Sequence, residues 1–140
     1  LRQAVAAGGL TLIKPNINER AALAGSDIHD HQQLVDVSRQ LIKAGKSEAV
    51  VVSLGPQGAL LVTADEEARI VPPTVKRQST VGAGDSMVAA ITLKRALGAG
   101  WLEAARYGVA AGTAATMNQG TELCRRQDVE RIYAWLCQQG

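Results

Sequence analysis

Phenylalanine is missing from all 140 residues and aromatic side chains make up only 3% of them, so aliphatic side chains must fill any core. Cysteine occurs twice, at Cys124 and Cys137, with no C-x-x-C and no neighbouring histidine pair. That spacing excludes a zinc-ribbon pattern and a disulfide framework, and a reducing cytoplasm is the simplest setting. The net charge is only +2, and the basic residues form no cluster interleaved with aromatics, which argues against nucleic acid as a partner. Apolar runs break well before membrane-spanning length, and no charged stretch leads into an apolar one at the start, so neither membrane insertion nor secretion is expected. An initiator methionine is lacking as well. Residues 1–9 read as the last turns of a helix closed by glycine, as though the chain began inside a fold.

What is present is globular: 46% hydrophobic and 20% charged residues, enough for one domain with a real core. Leu10-Thr11-Leu12-Ile13 reads as a strand ending in the polar turn Lys14-Pro15-Asn16. Residues 18–24 suit a short helix closed by Gly25, with Asp27 or Asp30 capping the next, whose inner face carries Leu34, Val37, Leu41 and Ile42 up to about Gly45. Residues 49–54 are continuously apolar, as in a strand buried on both faces of a parallel sheet. Residues 59–63 and 68–71 form an antiparallel hairpin at a sheet edge, ended by Pro72 and Pro73. Helices follow over 85–97, with Met87, Val88, Ile91 and Leu97 inward, over 102–117, and around Val129, Ile132, Tyr133 and Leu136. This order, without repeat or linker, predicts an α/β fold with a mainly parallel sheet. The helix over 102–117 is rich in alanine and glycine, which leaves room for a neighbouring backbone or for a flat ligand. His29 and His31 flank Asp30 but lack further metal ligands, and read as a polar helix start.

The stretch with the most chemistry is Ser79-Thr80-Val81-Gly82-Ala83-Gly84-Asp85-Ser86-Met87. It lacks the lysine of a P-loop, and Met87 stands where a dinucleotide fingerprint needs its third glycine. Gly82 and Gly84 allow successive N–H groups to converge at a helix N-terminus, where the dipole favours an anion. Asp85 then stands as a general base beside a bound phosphate, or as an ordinary helix cap. Three polar turns follow strands or open a helix, where ligands of open α/β sheets collect. Lys14 and Asn16 can reach phosphates, Glu19 can hold a hydrated magnesium ion, and Ser53 and Gly55 can meet a nucleotide.

Lys14-Pro15-Asn16-Ile17-Asn18-Glu19, Val51-Val52-Ser53-Leu54-Gly55-Pro56-Gln57-Gly58, Thr80-Val81-Gly82-Ala83-Gly84-Asp85-Ser86 and Asn118-Gln119-Gly120-Thr121 together resemble the C-terminal half of a ribokinase-like carbohydrate kinase. The group is that named PfkB after the minor bacterial 6-phosphofructokinase. The resemblance runs along the whole chain, and Val71-Pro72-Pro73, Lys76 and Gln78-Ser79-Thr80 point to the 6-phosphofructokinase branch. It implies a three-layer α/β/α fold and transfer of the ATP γ-phosphoryl group to a phospho-sugar hydroxyl. Asp85 would be the base and Gly82, Ala83 and Gly84 the anion hole. Asn16 and Glu19 would organise magnesium, Lys14 would meet ATP phosphate, and Ser53, Gly55 and Gly58 with Val109 and Thr113 would line the nucleotide pocket. Ser79, Val81, Ala115, Asn118, Gly120 and Glu122 match a site for a monovalent cation such as potassium, although many relatives carry Asp at the position of Ser79. The family's sugar-binding half and its dimer-forming lid have no counterpart here, so this portion is expected to be inactive alone. Tagatose 6-phosphate, fructose 1-phosphate, and a nucleotide-binding module without catalysis stay open as alternatives.

Overall fold

The computed structural model describes residues 2–16, 18, 19 and 30–140. Most of the helix expected over residues 18–24, together with Asp27 and His29, lies outside them. The elements are α1 (Arg2–Ala7), β1 (Leu10–Ile13), α2 (His31–Lys43), β2 (Ser47–Ser53), a 3-10 turn (Gly55–Gln57), β3 (Ala59–Thr63), β4 (Glu67–Ile70), α3 (Ala83–Ala96), α4 (Trp101–Thr116) and α5 (Arg126–Gln138). They fall into two compact units, Leu1–Gly55 with Ala59–Arg69, and Pro56–Gly58 with Ile70–Gly140.

In the first unit the described strands lie in the order β1-β2-β3-β4. β1 and β2 are parallel, paired Leu10 to Ser47 and Leu12 to Ala49. β3 runs antiparallel to β2, from Ala49 opposite Thr63 to Ser53 opposite Ala59. Only Ala64, Asp65 and Glu66 separate β3 from its neighbour β4, too short a link for a crossover, so the two form the expected hairpin. The uninterrupted apolar run of β2 has the burial it implies: Ala49, Val50, Val51 and Val52 are fully shielded. Val50, Val52, Leu60 and Val62 share one face and pack with Ile13, Leu54 and the α2 residues Leu34 and Val35. Val35 is fully buried although periodicity does not mark it, while Val37, expected on the inner face, packs against this core only partly buried.

Asp30 is the N-cap of α2, accepting 3.1 Å from the Gln32 N–H. His31 begins the helix, so this is the polar helix start expected. Asp30→Ala should cost about 1 kcal/mol of stability, read as a small fall in melting temperature.

In the second unit α4 packs against both α3 and α5. Eleven of its sixteen residues are buried, far more than one amphipathic stripe. Part of the room along it belongs to α3: a Cβ on Gly108 would come 2.5 Å from Ile91 Cγ1, and one on Gly112 would come 3.1 Å from the Ala83 carbonyl oxygen. α5 presents Val129, Ile132 and Leu136 inward. Met87, Ala90 and Ile91 are the buried positions of α3. Leu97, expected inward, is 73% exposed because α3 ends one residue earlier and Leu97 is its C-cap. Lys94 lies over the rings of Tyr107 and Tyr133, 4.6 and 5.2 Å from their centroids, and burial followed by the Glu130 hydrogen bond pushes the Tyr107 phenol up. Both cysteines are free, Cys124 half-buried and Cys137 exposed.

Candidate active site

The carboxyl ends of the parallel pair gather one group of residues. Pro15 accepts the Ser53 N–H at 3.0 Å and, more loosely, the Ser53 hydroxyl at 3.4 Å, so the chain beyond β1 stays tied to the end of β2. This places Lys14, Asn16 and Glu19 at the same sheet end as Ser53 and Gly55, as the placement rule for open α/β sheets requires. Asn16 and Glu19 form a reciprocal box. Asn16 Oδ1 accepts the Asn18 and Glu19 N–H groups, each at 2.9 Å, while Glu19 Oε2 accepts the Asn16 N–H at 3.0 Å. The box orients both side chains and leaves the other Glu19 oxygen outside these bonds. Gly55 opens the 3-10 turn with φ of 59°.

The start of α3 gathers a second group. The cap is Gly82, in the left-handed region at φ 79°, and no side chain caps this end. Asp85 is therefore not a cap; it is the third residue of the helix and exposed. The Ala83 N–H makes a long bond to Thr80, and the Ser86 N–H closes on Gly82. Between them, the Gly84 and Asp85 N–H groups have no acceptor among the described residues. Unsatisfied amides at the positive end of a fourteen-residue helix, with a carboxylate beside them, are groups that can attract an anion and take up a proton.

The segment leading into this turn is held from α4. The Thr116 carbonyl accepts both the Gln78 N–H at 2.7 Å and the Ser79 N–H at 3.2 Å, and the Ser79 hydroxyl accepts the Val81 N–H at 3.2 Å. Ser79 is thereby brought to the helix end that carries Ala115 and leads to Asn118. Asn118 is buried, and its amide donates to the Leu123 carbonyl at 2.8 Å. Gly120 is left-handed at φ 60°. Glu122 is exposed and its carboxylate is taken by Arg125 at 2.8 Å, which holds that guanidinium above the usual arginine range. Val109 and Thr113 are buried on α4, and Gly58 is buried with its backbone against Ile70 and Pro72. The anchoring role of Thr116 has no signal in sequence, because a main-chain carbonyl does it. A 410 Å³ recess at the amino ends of β1 and β2, lined by Gly9, Leu10, Ile42, Gly45, Ser47, Glu48 and Ala64, lies at the opposite strand end from Lys14 and Ser53.

Residues 3–128 match the model of the pfkB family of carbohydrate kinases. Among curated proteins, the ATP-dependent 6-phosphofructokinase isozyme 2 of Escherichia coli K12 is 50% identical over 136 residues, which are 97% of this chain and 44% of that protein. The crystal structure of phosphofructokinase-2 from Escherichia coli in complex with potassium superposes with a TM-score of 0.93 at 49% identity, over 97% of this chain and 44% of that one. Ribokinase from Thermotoga maritima gives a TM-score of 0.77 at 26% identity, over 89% of this chain and 42% of that one, so the architecture is ribokinase-like α/β. The chain spans less than half the length of these relatives. With the family match covering nearly all of it, this chain belongs to the pfkB family of carbohydrate kinases.

Proposed function

We propose that this chain carries the base and the nucleotide-side residues of an ATP-dependent 6-phosphofructokinase, which transfers the γ-phosphoryl group to a hydroxyl of fructose 6-phosphate. The observation that carries the reading is the start of α3, where Gly82 caps the helix without a side chain and Asp85 stands exposed beside open amides. Asp85 takes the proton from the sugar hydroxyl, the sugar oxygen bonds to the γ-phosphorus, and the bond from that phosphorus to the β–γ bridging oxygen breaks to release ADP. The Gly82, Ala83 and Gly84 backbone stabilises the charge on the transferring group, so that positioning and electrostatics supply most of the catalysis.

Lys14 meets ATP phosphate, and Ser53, Gly55 and Gly58 with Val109 and Thr113 serve the nucleotide. Magnesium, when bound, neutralises charge developing on the phosphate oxygens. Asn16 and Glu19 suit it through its water shell, since Glu19 keeps one oxygen clear of the box. Ser79, Val81, Ala115, Asn118, Gly120 and Glu122 are assigned to a monovalent cation such as potassium, with main-chain carbonyls as the principal ligands because Arg125 engages the Glu122 carboxylate. Among the described residues no helix is long and apolar enough to cross a membrane, and a cytoplasmic setting is proposed. The intact enzyme is proposed to pair as a homodimer through a lid outside this chain.

The test is a chimera joining this chain to the part of the Escherichia coli relative that it does not match, assayed for ADP release with fructose 6-phosphate, tagatose 6-phosphate and fructose 1-phosphate. Fructose 6-phosphate should give the highest kcat/KM. A chimera that binds ATP but phosphorylates none of the three would reduce the protein to a nucleotide-binding module.

A further inference from the structure

The geometry points to α4 as the element that sets the height and direction of the anion cradle, with Gly112 as a positioning residue for Asp85 and the Gly82–Gly84 amides. This rests on the phosphoryl-transfer reading above.

Two independent contacts converge on the turn. From one side, the Thr116 carbonyl takes both the Gln78 and Ser79 N–H groups, so a carbonyl left over at the end of α4 holds the segment that enters the cradle. From the other, Gly112 lies under the first residue of α3. A Cβ there would be 3.1 Å from the Ala83 carbonyl oxygen, 3.4 Å from Met87 Cε and 3.6 Å from Met87 Cβ. The methionine end can swing aside, but the Ala83 carbonyl is main chain and belongs to the cradle itself. A methyl group at residue 112 must therefore lift the helix start by a few tenths of an ångström while Thr116 keeps holding its approach. Gly108, one turn earlier on α4, offers an internal comparison: its Cβ would meet Ile91 Cγ1 at 2.5 Å and the Met87 carbonyl oxygen at 3.1 Å, in the body of α3 and away from the first turn. Both changes gain helix propensity and both crowd the α3–α4 contact, so a purely structural role would make them alike or make Gly108→Ala the worse. A positioning role separates them, because in-line transfer is sensitive to displacements that folding tolerates.

In the chimera, Gly112→Ala should lower kcat at least tenfold with the KM for ATP within twofold of the parent and the melting temperature within a few degrees. Gly108→Ala should lose more melting temperature and less kcat. A Gly112→Ala protein that fails to fold, or whose kcat falls no further than that of Gly108→Ala, overturns the inference. Amide spectra of the ¹⁵N-labelled chimera decide the matter without catalysis. Gly112→Ala must shift the Gly82, Ala83 and Gly84 resonances more than Gly108→Ala does, and the reverse order overturns positioning. An inactive parent chimera would instead remove the kinase reading and leave that spectral comparison standing.

Discussion

Asp85→Asn should lower kcat for fructose 6-phosphate phosphorylation about a thousandfold in the chimera while the KM for ATP stays within a few-fold, because a general base of this kind contributes about 10² to 10⁴. Asparagine keeps the shape and a hydrogen-bonding oxygen but cannot take the hydroxyl proton. The change is mild for the fold. Asp85 is exposed on the first turn of α3, and losing its attraction to the helix dipole costs about 0.5 kcal/mol, so thermal melts of the two proteins should nearly coincide. Retention of more than a tenth of the parent kcat would assign the base elsewhere. A large drop in melting temperature would instead make Asp85 a structural residue, which its exposure and lack of a capping role argue against.

The largest stability loss is expected at Gly58→Ala. Gly58 has φ of 84°, and a Cβ there would overlap the Ile70 carbonyl oxygen and lie 2.8 Å from Pro72 Cδ. Left-handed strain of about 1–2 kcal/mol adds to overpacking of about 1–3 kcal/mol, and neither neighbour can yield without moving main chain. The melting temperature of the chimera should fall by roughly 10 °C. Gly45→Ala is the control, since Gly45 is also left-handed, at φ 70°, but a methyl group added there would meet nothing within 4 Å. It should carry the strain alone and fall by less than half as much. Equal losses at the two positions would show that crowding against Ile70 contributes nothing. Resemblance assigns Gly58 to the nucleotide; its packing supplies a second reason for glycine, and the two separate because the packing effect appears without ATP.

Much of this arrangement is legible from local chemistry. The continuous apolar run of β2 implies burial on both faces, and the patterning of residues 59–71 marks the β3–β4 hairpin, whereas the antiparallel pairing of β2 with β3 emerges only in the fold. Boundaries follow less closely where the cap is not a side chain. α3 begins at Ala83 rather than Asp85 because Gly82 provides the cap through its backbone angle, which a search for capping side chains does not detect. That shift of two residues changes the chemistry of Asp85 from cap to exposed acid on the first turn. Leu97 departs from expectation for a related reason: hydrophobic periodicity continues past the residue at which the helix stops.

Neighbouring positions alone carry the α/β class, the strands and most helices, and single out Lys14, Asn16, Glu19, Ser53 and Asp85 as candidates, because helical periodicity, apolar runs and the glycine turn are each written within a few residues. They also mark α4 as unusually small-sided. What that smallness serves depends on the packed fold, since a helix lined with alanine and glycine on every side has no single apolar stripe to indicate its partner. Gly108 and Gly112 admit α3, and the Thr116 carbonyl holds the approach to the cradle. These contacts join positions far apart in the sequence, and the Ala83, Met87 and Thr116 carbonyls among them are main-chain atoms, which are the same at every position.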